Sequence, residues 1–181
     1  MINAELAEVV SFWREAGPER WFEKDEDFDR TITSRFLALH ETAARGEFAA
    51  EEASAEGALA LVILLDQFPR NMFRGDARAF ATDPLARAVA GRALDRGFDK
   101  AIEEILRPFF YLPFMHSELL EDQDHCLRLY EAYGDPEKLK YAVSHRDIIL
   151  KFGRFPHRNN VLGRATTPAE QAFLDSGGFA G

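Results

Sequence analysis

The chain has 181 residues, with 31 acidic and 22 basic side chains and a formal charge of −9 at pH 7. That excess of acid argues against non-specific nucleic-acid binding, which depends on Lys and Arg neutralising phosphates. A single cysteine, Cys126, excludes an internal disulfide. The opening MINAELAEVV lacks the basic and apolar regions of a secretory signal. The longest apolar run, Ala58–Leu65, is far below the roughly 18 residues that span a bilayer. The expectation is therefore a cytoplasmic protein, with no membrane or nucleic-acid partner, built as one all-α domain over residues 1–181. A chain of this length buries roughly two thirds of its unfolded surface.

The charge is uneven. Glu23, Asp25, Glu26, Asp27 and Asp29 make the first third acidic, whereas His145–Arg164 is basic. A local positive patch on an acidic chain suits a small anion or an acidic partner.

Nearly every segment reads as helix. Asn3 caps a first helix that turns Leu6, Val9, Val10, Phe12 and Trp13 inward and stops at Gly17-Pro18. Asp25 caps a second, reaching Arg45 and Gly46, with Phe28, Ile32, Phe36 and Leu39 on its inner face. Ser54 opens a third. From Ala58 to Phe68 it is apolar on all sides, so it predicts the central buried helix, broken at Pro69.

Thr82-Asp83-Pro84 reads as a cap with proline in the first turn, and Gly97 closes that helix. Asp99 starts another helix, to Leu106, and the aromatic run Phe109–Phe114 is kinked or broken by Pro113. Ser117 caps a helix from Glu118 to Tyr133, stopped by Gly134. Asp135-Pro136 begins the next, to Gly153, and Thr167–Glu170 forms a capping box for a last short helix. No stretch alternates with the period of a strand. The architecture is about eight helices in antiparallel pairs.

Three stretches hold the polar residues that ordinary surface does not explain: Asp66–Gly75, Phe109–Gln123 and His145–Arg164. Asp66 and Gln67 end a helix with no polar face, so they read as a structural polar brace. A buried carboxylate must find a partner or take up a proton. Arg70, one turn on, and Arg74, Arg154 and Arg158 are the candidate partners.

Gln123 falls on the same stripe as His116, Leu120, Leu127 and Tyr130, while Glu118, Asp122 and His125 form a more solvated one. His145 shares an inner face with Ile149 and Phe152. Were His116, His145 and His157 to converge, they would be candidate general acid–base residues. Arg70, Asn71, Gln123, Arg154, Arg158 and Asn159 are candidate ligand-binding residues, because Arg offers a rigid fork to carboxylate or phosphate. The bland alternative gives the same residues internal partners.

No HExxH, CxxC, EF-hand or phosphate-cradling loop is present, so neither a metal nor a cofactor is expected. Ser117 and Cys126 are poor nucleophiles, one being a cap and the other lying mid-helix among apolar residues.

The segments LLDQFPRNMFRGDARAFATDPLA, GFD, FFYLPFMHSE, DQ and HRDIILKFGRFPHRNNVLGR, with the opening FWREAGPERWFEKDEDFDRTITSRF, resemble a bacterial family catalogued as domain of unknown function 924. The resemblance covers almost the whole chain. It implies a tetratricopeptide-like right-handed superhelix of antiparallel helix pairs. It brings no activity, substrate or catalytic residue.

Two functions compete. One is a binding or interaction module holding a peptide, as helical-repeat surfaces do. The other is a site, binding or enzymatic, for a small phosphate- or carboxylate-bearing molecule that uses the Arg, His and Asn residues. The second needs those groups on one partly open pocket. The first leaves them as braces beside a separate groove.

Overall fold

A computed structural model describes residues 2–179, and all regular structure among them is helical. No helix among them is long and apolar enough to cross a membrane. Chain contacts divide these residues into two units, 2–74 with 78–113 and 75–77 with 114–179.

The first unit holds α1 (Ala4–Ala16), α2 (Pro18–Trp21), α3 (Glu26–Ala44), α4 (Ala55–Val62), α5 (Phe68–Met72) and α6 (Asp83–Asp95). Asn3, Asp25 and Ser54 each accept a first-turn amide, as their positions predict. The inner face of α1 is Leu6, Val9, Val10 and Trp13, all buried. Trp13 stacks on Phe28 at 6.1 Å and meets Phe68 and Phe109 edge-on at 5.5 and 5.7 Å. Such pairs add about 0.5–1.5 kcal/mol each beyond their area.

Pro69 does not break the central helix. A π-helical turn, Ile63–Gln67, joins α4 to α5 and carries the chain on to Met72. Proline has no N–H, and the wider turn shifts the ladder, so carbonyls here need other donors. Three side chains supply them. His40 Nδ1 lies 2.8 Å from Leu64 O, Thr82 Oγ1 donates to Leu65 O at 2.6 Å, and Arg70 Nη1 donates to Asp66 O at 2.6 Å. Thr82 is thus spent across the unit rather than as a cap for α6, where it makes no side-chain capping bond.

The expected helix from Asp99 to Leu106 is absent. Two 3₁₀ turns, Phe98–Ala101 and Glu104–Phe110, stand there, and the second accommodates Pro108. Asp99 instead accepts the Tyr111 hydroxyl at 2.9 Å.

The short α7 (Leu112–Met115) follows, and the second unit then carries α8 (Leu120–Tyr133), α9 (Pro136–Phe152) and α10 (Pro168–Asp175). Ser117 does not cap α8 directly. The helix begins after Leu119, and Ser117 Oγ receives Leu119 N–H at 3.2 Å while donating to Asp122 at 2.6 Å. Asp135 caps α9, and Thr167 with Glu170 forms the full capping box of α10. α8 and α9, joined by the Gly134-Asp135 turn, pack side by side. Ile148, Ile149 and Phe155 form a core against which Phe152 and Phe173 pack.

Candidate functional site

In the first unit the predicted residues bond to carboxylates of the same unit. Asp66 is wholly buried and lies 3.3 Å from Arg70 Nη1. Gln67 Nε2 donates to the same carboxylate. Arg70 forks onto Asp83 with bonds of 2.9 and 3.0 Å. Burial works against the charge of Arg70, but Asp66 and Asp83 outweigh it, so its pKa is raised. Asn71 donates to Asp29 at 2.8 Å, and Arg74 forks onto the same carboxylate. Asp66, Gln67, Arg70 and Asn71 therefore have internal partners from α3, α6 and their own helix. His40, on the 28-32-36 stripe of α3, is buried as well and bonds Leu64 O rather than these carboxylates, and sequence reasoning missed it. Burial lowers its pKa.

In the second unit, Gln123 is fully buried at the start of α8. Its Nε2 donates to Met115 O and Ser117 O, each at 2.7 Å, and to Phe114 O at 3.4 Å. One amide thus ties down the backbone on both sides of His116.

Glu118 is not a solvated residue. It accepts Arg164 through bonds of 2.7 and 3.0 Å and the Phe155 N–H at 2.8 Å. Burial pushes its carboxyl up, but Arg164, Phe155 N–H and Arg158 outweigh that and hold it below the usual range. Arg154 forks onto Glu170 at 2.6 and 2.8 Å. That guanidinium and the Thr167 amide hold the Glu170 carboxyl well below its ordinary value. Arg158 is buried and stacks 4.6 Å over Phe155. Asn159, fully buried, lies 3.4 Å from Thr166 Oγ1.

Of the three candidate histidines, His145 and His157 meet at one ring, and His116 enters through a smaller electrostatic effect on His145. The rings of His145 and His157 lie 5.7 and 5.6 Å from Phe155. His145 Nδ1 donates to Tyr141 O at 2.8 Å, which leaves the lone pair on Nε2. Burial, with smaller effects from His116 and Arg158, pushes the His145 pKa down to about 4. Among the described residues, no group of three or more His, Cys, Asp or Glu could hold a metal ion. Burial pushes the Cys126 thiol up to about 12, so it is inert at neutral pH.

A separate surface lies along α9. An open groove of about 690 Å³ runs from Pro136 to Phe152, with Phe173 and the Gly177–Phe179 segment as its other wall. Leu139 and Val143 lie on one side of the α9 face that lines it and Ile148 and Phe152 on the other, with Lys140, Asp147 and Lys151 between them. Val143 is 41% exposed and Phe179 37%. Sequence periodicity could have flagged Val143 as apolar on a solvated face. Nothing in the sequence marks where Phe173 and Phe179 would lie.

No curated protein matches the chain. Among solved structures it is similar to the protein of unknown function ATU0120 from Agrobacterium tumefaciens. The two are 50% identical with a TM-score of 0.92, and the match covers 96% of this chain and 98% of that one. The model of a family described as bacterial protein of unknown function, DUF924, matches residues 9–178, and the chain belongs to that family.

Proposed function

We propose that the protein is a helical interaction module whose receptive surface is the α9 groove, and that its partner is an apolar peptide segment. One contrast carries this reading. Arg70, Asn71, Gln123 and Arg154 are spent on internal carboxylates and carbonyls, whereas the groove presents Val143 and Phe179 to solvent beside Lys140, Asp147 and Lys151. The floor of α9 offers four turns, a length of roughly 24 Å at 1.5 Å per residue. That suits a short helix or extended segment laid lengthwise.

The experiment is selection of peptides from a random library on wild type, followed by affinity measurement on Val143→Asp. Peptides that bind wild type and lose at least tenfold on Val143→Asp support the groove. Peptides indifferent to that change, or none selected, refute it.

A second reading rests on the nearness of His145, His157 and Arg158 around the Phe155 ring. It makes this neighbourhood a site for a small phosphate- or carboxylate-bearing substrate, with a histidine as general acid or base. A base is most effective when its pKa lies near the working pH, and His145 at about 4 falls well short of neutrality. Calorimetric titration of phosphate, citrate and nucleotides into wild type and Arg158→Ala decides it. Binding that Arg158→Ala abolishes favours the anion site, and no binding across the panel removes it.

A further inference from the structure

The segment after α10 forms part of the groove's wall, and the ending of that helix sets its path. Gly177 has φ +79°, its N–H bonds Leu174 O at 3.1 Å, and the Gly178 N–H bonds Phe173 O at 3.0 Å. This pair of bonds is the Schellman ending, in which a left-handed residue turns the chain back across the helix. A Cβ on Gly178 would lie 2.6 Å from the Phe173 ring, so only glycine passes there without displacing it.

The reversal delivers Phe179 onto two imidazoles. Its ring centroid is 4.5 Å from that of His145 and 5.2 Å from that of His157. Phe155, fully buried, contacts both imidazoles as well. His145 and His157 thus line a seat whose walls are flat rings at the spacings aromatic pairs prefer. Phe179 sits in it while remaining 37% exposed, against 6% for His145 beside it. The ring is seated on the surface rather than packed into the core.

We propose that the His145–His157 seat is a pocket for an aromatic side chain of a peptide partner, and that Phe179 occupies it in cis until the partner displaces residues 176–179. This rests on the groove reading above. It adds the partner's chemistry, a Phe- or Tyr-bearing segment whose neighbouring apolar residues run onto Phe152 and Phe173. It also adds a threshold. An occupant tethered by a few residues competes at an effective concentration of roughly millimolar, so weak aromatic ligands are excluded.

The test uses the full chain as wild type, Phe179→Ala and Phe179→Tyr. The probe is a labelled synthetic peptide of residues 174–181, LDSGGFAG, with LDSGGAAG as control, followed by fluorescence anisotropy. Acylation of each histidine by diethyl pyrocarbonate is read in parallel by peptide mapping. Phe179→Ala binds LDSGGFAG at least tenfold more tightly than wild type and ignores LDSGGAAG. In the same variant His145 and His157 react several-fold faster, and Phe179→Tyr behaves as wild type.

Equal binding by wild type and Phe179→Ala, binding indifferent to the peptide's Phe, or no binding to Phe179→Ala overturns the proposal. If the Val143→Asp test succeeds while these fail, the groove stands and the cis occupant falls. If Val143→Asp has no effect while Phe179→Ala gains the peptide, the aromatic seat stands and the longer groove falls.

Discussion

Gln123 offers a sharp test of the bracing argument. Its Nε2 is the donor for Met115 O and Ser117 O at 2.7 Å, with a long third bond to Phe114 O. Gln123→Leu keeps the volume and removes the donor. Each buried carbonyl left without a partner costs about 1–3 kcal/mol. Against this, Gln123 Oε1 is itself buried without a hydrogen-bond partner, and leucine relieves that. The net loss is about 2–4 kcal/mol, which lowers the melting temperature by about 4–16 °C for a chain of this size. Gln123→Glu sharpens the test, because a carboxylate would face three carbonyl oxygens. The buried carboxyl is then stable only when protonated, so its folded pKa is raised above the unfolded ~4.3. The folded state binds more protons, and stability falls as pH rises from ~4.3 through the folded pKa. Thermal melts of wild type, Gln123→Leu and Gln123→Glu between pH 4 and 8 measure both effects. A Gln123→Leu melt within a degree or two of wild type, or a Gln123→Glu variant as stable as wild type at pH 8, would refute the reasoning.

Thr82→Val leaves Leu65 O without the donor that Pro69 cannot be, and chemical denaturation should show a loss of about 1–3 kcal/mol. Arg70→Ala breaks a buried pair and should cost about 3–5 kcal/mol, while Arg70→Lys keeps the charge, loses the fork onto Asp83 and falls between. His145 has its pKa depressed by burial, so its contribution is complete above pH 6.5 and is lost as pH falls toward 4. That difference is worth up to about 3 kcal/mol. His145→Leu should therefore show a smaller loss of stability between pH 6.5 and 4 than wild type does. Glu170→Ala removes both the capping box of α10 and the anchor of Arg154. Hydrogen exchange should show α10 and residues 176–179 losing protection while α8 and the middle of α9 keep theirs.

How much could be read in advance depended on whether the physics was local. Helix starts were legible where a cap residue precedes proline or an acidic N3, as at Asp135-Pro136 and Thr167–Glu170, because capping is settled within four residues. Pro69 does not end the helix because its lost bond is replaced by Thr82, which lies seventeen positions from Leu65 in sequence and reaches its carbonyl in space. The pairing of Asp66 with Arg70 followed from i, i+4 spacing, whereas Asp83 as the second partner did not. Glu118 looked solvated by stripe, but Arg164 reaches it from a loop that periodicity does not describe. The seat of Phe179 was invisible for a similar reason. It exists because a Schellman turn aims one ring, and the sequence shows only two glycines and a phenylalanine.

The basic loop that most suggested anion binding has another role in this electrostatic setting. On a chain of charge −9, guanidinium groups meet carboxylates readily, and a forked bond fixes a loop at small entropic cost. Arg154 on Glu170 ties the loop after α9 to the first turn of α10, and Arg164 on Glu118 ties the same loop to the start of α8. α10 carries Phe173, a wall of the groove. The charged residues therefore hold the apolar surface in place and reduce what a partner must spend on ordering it. A peptide held there as proposed would bind through apolar burial, whose mark is a negative heat-capacity change that salt scarcely alters. An anion held by an exposed guanidinium would instead bind more weakly as ionic strength rises. The size of the salt dependence thus separates a groove that arginines support from a site in which arginines bind.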